Sequence, residues 1–490
     1  MTTAPDRLGQ RAARGALVTL TAQALKILVQ LASVVVLARL LAPHDYGLVA
    51  MVLALIGVGE IFRDFGLSSA AIQAQTFSTA QRATLFWING AIGLALALIV
   101  VLVAPLIATF YGEPQLENIA RALAPVFVAN GFATQYRASL VRDLRFRALA
   151  VADISSAALG LGTAIVAAML GLGFGALILQ QLAQAVCLLV VLAAAARWLP
   201  GIPRRGTPVR QFLGFGGNLV GSQLVGYLAN NIDTVVIGYR FGAGPLGIYS
   251  RAFQLLMTPL NQVRSPLTSV ALPVLSRLSE DPARFARYVS LGQRALGYTL
   301  VAALALVAAA SEPLTAVLLG PQWLSAAPIL RLLAIAGIFQ TLAFVGYWVY
   351  LARGLTRTLL HYSIASAVIR VTCILIGSQW GVLGVAIGYA VAPALSWPLS
   401  LWWLSRRSGM PVAPLYSGAG RILLCVTLAG AGSWAACAAA APLGPVAQLV
   451  CATLALVVGY GVLLVLPPIR RDLVSVLALG RLLRNRVVPA

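Results

Sequence analysis

The chain has 490 residues, of which 60% are apolar and only 10% are charged, and its mean hydropathy is +0.90. That composition excludes an ordinary soluble domain, and the apolar residues suffice for roughly 14 membrane spans of about 20 residues each. Thirty-five basic residues against 13 acidic ones give a net charge of +22. This would suggest nucleic acid in a soluble protein, but in a membrane protein it is first a topology signal.

Arg7, Arg11 and Arg14 precede the first apolar stretch in the manner of a signal peptide. That stretch runs to about Leu41, is interrupted by Lys26 and lacks a cleavage site, so it reads as an uncleaved first span. Breaks at Pro, Gly and charge place spans near 15–41, 46–62, 84–110, 118–136, 149–170 and 173–196. After a polar stretch at 197–210 come spans near 212–239, 246–275, 292–318, 326–351, 359–378 and 381–404, and then a pair near 418–440 and 446–467. The expectation is an all-α integral membrane protein of about 14 transmembrane helices. An N-terminal six-helix lobe would occupy 1–203, a C-terminal six-helix lobe 204–410, an added helix pair 411–468 and a basic cytoplasmic tail 469–490. Cys187, Cys373, Cys425, Cys437 and Cys451 lie in apolar stretches without metal-ligand spacing. No metal or cofactor is expected.

Lys and Arg played little part in drawing the spans and so test them independently. With the N-terminus in the cytoplasm, 28 of the 35 basic residues fall on inward segments. Arg39 and Arg240 fall at outward ends, and Lys26, Arg121, Arg251, Arg331 and Arg370 lie within spans. Outward loops such as 43–45, 112–115, 171–173 and 242–245 are too short for a catalytic domain. Both termini come out cytoplasmic, no enzymatic activity is expected, and the charge gives no reason to invoke nucleic acid.

The two six-span groups repeat one another. At an offset of 201, Gln30 falls on Asn231, Ser33 on Thr234, Arg39 on Arg240 and Arg63 on Arg264. Near 210, Arg121 falls on Arg331, Arg147 on Arg357 and Arg142 on Arg353. The order and near-constant offset indicate a parallel duplication, with the site expected where the halves meet.

Within the first span Thr19, Gln23, Lys26, Gln30 and Ser33 share one helical face. That face is either a seam bonded to a neighbouring helix or the wall of a water-filled cavity. Lys26 is the single lysine and sits mid-span, where an unpaired cation costs about 3 kcal/mol or more. The corresponding seventh-span face offers Gln223, Tyr227, Asn230, Asn231, Asp233 and Thr234. Arg370 faces a cavity or an interhelical partner. Arg121, Arg251 and Arg331 snorkel or serve function. Glu60, Arg63 and Asp64 have the spacing of a local ion pair at a helix end, and Asp153 lies near another inward end. A lumen with several fixed cations suits an anionic ligand, while Asn218, Gln223, Tyr347 and Trp348 suit sugar hydroxyls and faces.

The stretch Val36-Leu-Ala-Arg-Leu-Leu-Ala-Pro-His-Asp-Tyr-Gly-Leu-Val-Ala50, followed by Phe65-Gly-Leu-Ser-Ser-Ala-Ala-Ile72, resembles the polysaccharide-transporter branch of the multidrug/oligosaccharidyl-lipid/polysaccharide exporter superfamily, the Wzx-like flippases. The stretch 231–249, beginning Asn231-Ile-Asp-Thr-Val-Val-Ile-Gly-Tyr-Arg240, is similar to that family's seventh-span signature. The resemblance implies two lobes around a cationic cavity in the bacterial inner membrane. They would alternate in access and carry an undecaprenyl-pyrophosphate-linked oligosaccharide to the periplasmic leaflet for O-antigen or exopolysaccharide assembly. By position and type it implies substrate cations at Lys26, Arg63 and Arg251, to which Arg370 is added. Gln23, Gln30, Asn218, Gln223 and Asn231 would line the cavity, and Asp233 would couple an ion. It further implies membrane lipid, a polysaccharide polymerase and a chain-length regulator as partners, and in lipid II flippases a final helix pair forms a lipid-tail groove. An ion-coupled multidrug exporter of the same superfamily is the alternative, and a membrane polymerase or glycosyltransferase would need larger outward loops. For residues 469–490, a basic amphipathic helix on anionic lipid and a frayed tail are both open.

Overall fold

The structure is a computed structural model that describes residues 4–64, 78–202 and 210–476, with backbone alone for 4–20, 64, 210–222, 225 and 265. The stretch 65–72, the side chains of Arg7, Arg11, Arg14 and Asn218, and the tail arginines Arg481, Arg484 and Arg486 therefore lie outside the described residues. The first seven helices are α1 (Ala4–Leu40), α2 (Pro43–Ile56), α3 (Val58–Asp64), α4 (Thr79–Tyr111), α5 (Gln115–Arg142), α6 (Phe146–Met169) and α7 (Phe174–Ala196). They are followed by α8 (Arg210–Phe241), α9 (Ala243–Arg277), α10 (Pro282–Leu296), α11 (Ala302–Ala309), α12 (Ser311–Leu318) and α13 (Ala327–Ala352). The next four are α14 (Thr356–Gly377), α15 (Gly381–Ser408), α16 (Ala413–Ala439) and α17 (Pro445–Leu463). Among the described residues there is no strand, as a chain in hydrocarbon requires when every backbone group must bond within its own segment. Among the described residues ten helical stretches are long and apolar enough to cross a membrane, and the protein is a multi-pass membrane protein.

Helix occupies each region expected to span, but several ends move. Residues 43–45, expected as an outward loop, form the first turn of α2. Pro43 stands where a missing N–H costs nothing, and Asp45 accepts the amide of Ala42 at 3.1 Å. At 242–245 only Gly242, at φ +82°, remains outside helix. Helix α5 continues past the expected end at 136 to Arg142, because a helix need not stop where its apolar residues do.

By internal contacts the chain divides into Met1–Ser250 and Arg251–Ala490. In the first unit α4 pairs with α5, α6 with α7, and α1 packs on α6. Helix α8 belongs to this unit, where the Tyr227 hydroxyl reaches the carbonyls of Leu53 and Ala54 at 3.2 Å each. Helices α2 and α9 meet at Gly47 and Gly247, a small-residue contact of the kind that lets membrane helices approach closely. In the second unit α14 pairs with α15, α13 packs on α15, and α16 pairs with α17.

Two arginines, both expected on inward loops, have local structural tasks. Arg145 donates to the carbonyl of Ala195 at 2.7 Å and Arg353 to that of Ser408 at 2.6 Å. Each satisfies an orphan acceptor and the negative dipole end of a helix, α7 in one unit and α15 in the other. At the start of the tail residues 467–476 are helical, and Ile469 and Asp472 are buried. Asp472 accepts Arg294 of α10 at 2.9 Å and Arg421 of α16 at 2.8 Å.

Candidate functional site

Four helices of the first unit surround a cavity of about 500 Å³. Helix α1 contributes Lys26, the last turn of α3 contributes Arg63, α5 contributes Asn130, Thr134 and Arg137, and α7 contributes Gln181 and Gln184. The spacings of four and three along α5, and of three along α7, put each set on one face.

The cations differ in how they are compensated. Arg63 pairs with Glu60 at 2.7 Å and donates to the carbonyl of Asn130 at 3.1 Å and to Thr134 Oγ1 at 3.0 Å. Arg137 pairs with Asp153. Lys26 has no ion pair among the described residues. Among the described side chains, three cations and two carboxylates leave this cavity one excess positive charge.

The polar face of α1 divides between an interhelical bond and a cavity lining. Two turns beyond Lys26, Ser33 accepts Gln180 Nε2 of α7 at 2.9 Å, an interhelical seam, whereas Lys26 opens to the cavity. Gln23 and Gln30 are half-buried and do not line this cavity. On α8, Gln223 is exposed, and half-buried Asn231 donates back to the carbonyl of Tyr227 at 2.9 Å. Asp233 is buried, accepting the Tyr249 hydroxyl at 2.6 Å and the Thr234 amide at 2.9 Å. Removing that hydroxyl leaves a buried carboxylate short of a donor. Tyr249→Phe is therefore expected to lower stability by about 1–3 kcal/mol, as read by thermal unfolding of the purified protein.

Arg251 and Arg370 belong to the second unit and are not among the residues that line this cavity. Arg251 is buried, and the Arg370 guanidinium lies 5.8 Å from the Tyr389 ring centre. A separate cavity of about 490 Å³ is lined by Arg264, Thr268, Ser269, Phe344 and Tyr347 among others. Trp348, expected to face sugar, is instead buried and donates to Thr268 Oγ1 at 3.1 Å. Sequence reasoning treated Arg137 and Arg264 as markers of the inward face. The available signals were the helical register of Arg137 with Asn130 and Thr134, and the repeat match of Arg264 with Arg63.

Long apolar helices with cations in the walls of two cavities define a multi-pass helical membrane protein. The chain belongs to the family described as polysaccharide biosynthesis protein, whose pattern matches residues 36–328. It is 24% identical over 377 residues to the lipopolysaccharide biosynthesis protein WzxC of Escherichia coli (strain K12), covering 76% of each chain. It is 28% identical over 350 residues to the teichuronic acid biosynthesis protein TuaB of Bacillus subtilis (strain 168), covering 71% of this chain and 72% of that one. Its fold is similar to that of the lipid II flippase MurJ in an inward closed conformation, with a TM-score of 0.70 at 15% identity, covering 94% of this chain and 100% of that one. An inward-facing multidrug resistance MATE family transporter matches with a TM-score of 0.59 at 18% identity, over 80% of this chain and 98% of that one.

Proposed function

We propose that the protein is a flippase that moves an undecaprenyl-pyrophosphate-linked oligosaccharide from the cytoplasmic to the periplasmic leaflet of a bacterial inner membrane. In this reading 14 spans form two six-helix lobes and an added pair, both termini are cytoplasmic, and the lobes alternate in access. The observation that carries it is the cavity of Lys26, Arg63 and Arg137, with one cation beyond its carboxylates and a wall of Asn130, Thr134, Gln181 and Gln184. A pyrophosphate supplies the missing negative charge, and the amides and hydroxyl suit a glycan. Asp233 is the coupling carboxylate of this reading, and a polymerase and a chain-length regulator take up the product.

Lys26→Ala is expected to cut transfer of the lipid-linked intermediate at least tenfold at normal protein level, and Arg370→Ala to reduce it as well. The measurement is the leaflet distribution of the intermediate together with polymer export. Normal transfer in both variants would overturn the site assignment. Drug sensitivity on deletion, with polysaccharide intact, would favour a multidrug exporter instead.

A further inference from the structure

Asp472 is one carboxylate shared by two cations. Its Oδ1 accepts Arg294 Nη1 at 2.9 Å and its Oδ2 accepts Arg421 Nε at 2.8 Å, so two guanidiniums of like charge are drawn to the same group. Arg294 Nε is spent on the carbonyl of Ser290 at 3.2 Å, and Arg421 Nη2 reaches Asp472 Oδ1 at 3.5 Å. Arg294 Nη2 and Arg421 Nη1 have no partner among the described residues. The triad therefore keeps one positive charge and a spare donor on each fork. Arg470 and Arg471, exposed on the same helical segment as Asp472, add to the positive field. None of the three triad residues lines either cavity.

The triad also has a defined level in the membrane. No Asp, Glu, Lys or Arg follows Arg294 through the end of α11, none follows Arg421 to the end of α16, and none occurs in α17. The cluster thus stands where uncharged helices give way to charge, the level at which a bilayer presents its phosphates. On α16, Leu424 and Leu428 follow Arg421 at spacings of three and seven, which puts them on its face, and they are 51% and 53% exposed. A cation at one end of an exposed apolar stripe matches a phospholipid, with the phosphate on the arginines and an acyl chain along the leucines. Basic pockets between helices at a membrane edge hold anionic headgroups, and a planar fork suits phosphate oxygens. The single negative charge of a phosphodiester equals the excess charge of the triad.

We propose that Arg294 and Arg421, held side by side by Asp472, form a site for the phosphate of an anionic membrane phospholipid. The occupant is a resident lipid rather than a transported one. The site stands apart from both cavities and does not depend on the flippase reading.

The test is the unfolding midpoint of the full chain in phosphatidylcholine nanodiscs with phosphatidylglycerol added in graded amounts as the probe, since a ligand of the folded state raises the midpoint. Phosphatidylglycerol is expected to raise it for the wild type. Arg421→Gln leaves Asp472 and Arg294 as a balanced pair, so it strands no charge, and it is expected to lose most of that rise. Arg294→Gln, which leaves Arg421 on Asp472, repeats the test from the other fork. Arg421→Lys keeps the charge without the fork and should fall between. Asp472→Asn separates a lipid site from a merely structural cluster: its midpoint without probe is lower, but with the competing carboxylate gone the probe should raise it further than it raises the wild type. Arg407→Gln is the control for general attraction to basic surface, since Arg407 is exposed on α15, and it should respond as the wild type does. A wild-type response in both glutamine variants overturns the site, as does a response in Asp472→Asn no larger than that of the wild type. Inorganic phosphate, titrated at constant ionic strength in nanodiscs without phosphatidylglycerol, is the remaining arm. An equal rise with phosphate, lost in Arg421→Gln, would assign the triad to a soluble anion and overturn the lipid assignment.

Discussion

Gly47→Ala is expected to destabilise the protein by an amount at or above the upper end of the usual range for overpacking, about 1–3 kcal/mol. A Cβ at Gly47 would lie 1.7 Å from the carbonyl oxygen of Ala243, and one at Gly247 would lie 1.7 Å from that of Pro43. The obstruction in both cases is backbone, which cannot rotate aside as a side chain does, so α2 and α9 must separate. The contact is reciprocal: each glycine faces the first helical residue of the other helix. Gly247→Ala should therefore act like Gly47→Ala, and the double variant should cost less than the sum, because one separation accommodates both methyl groups. Gly244→Ala is the control, since a Cβ there meets nothing within 4 Å. Thermal unfolding in detergent reads all four variants, and a Gly47→Ala protein that melts with the wild type would refute this packing.

Asp472→Ala is the second large effect. The carboxylate is 3% exposed as a residue and holds two arginines from helices far away in sequence, Arg294 and Arg421. Its removal leaves two guanidiniums facing each other without an anion. Breaking a buried pair costs about 3–5 kcal/mol, and because these guanidiniums are 22% and 34% exposed the loss should fall at the lower end. The same physics predicts a rescue. Replacing the whole cluster, Asp472→Leu with Arg294→Met and Arg421→Met, should recover most of the stability, since apolar residues of similar size forgo both the attraction and the desolvation. Unfolding midpoints of the single and triple variants decide the matter. A triple variant no better than Asp472→Ala would show that the cluster acts through something other than charge.

The helices were legible because their cause is local. A run of apolar residues cannot leave its backbone unpaired in hydrocarbon, and this holds for each segment whatever its neighbours do. The ends were less legible because hydropathy marks where a helix leaves the membrane rather than where it stops, which is why Arg137 was assigned to a loop and proves to stand inside α5. Arg264 was hidden by the charge count, which took it as an inward marker although it stands well inside α9. A basic residue can obey the positive-inside pattern whether it lies on the surface or lines a cavity. The repeat that relates Arg39 to Arg240 was visible, but the apposition of Gly47 and Gly247 beyond those residues was not, because a repeat states that two segments are alike and not that they touch.

From the sequence alone come the membrane class, the helical regions, the duplicated register and the resemblance to a polysaccharide transporter. Each rests on composition or on comparisons along the chain. The tertiary structure decided which charges are compensated. Arg63 is paired with Glu60, Arg137 with Asp153 and Asp472 with two arginines, while Lys26 has no ion pair among the described residues and Arg264 is held by the side-chain oxygens of Asn261 and Gln340. The strength of a cation for a ligand depends on what lies within a few ångströms of it, and for Arg137, Arg294 and Arg421 that neighbour is on another helix. Helix packing sets those distances, and hydropathy along the chain carries no record of them.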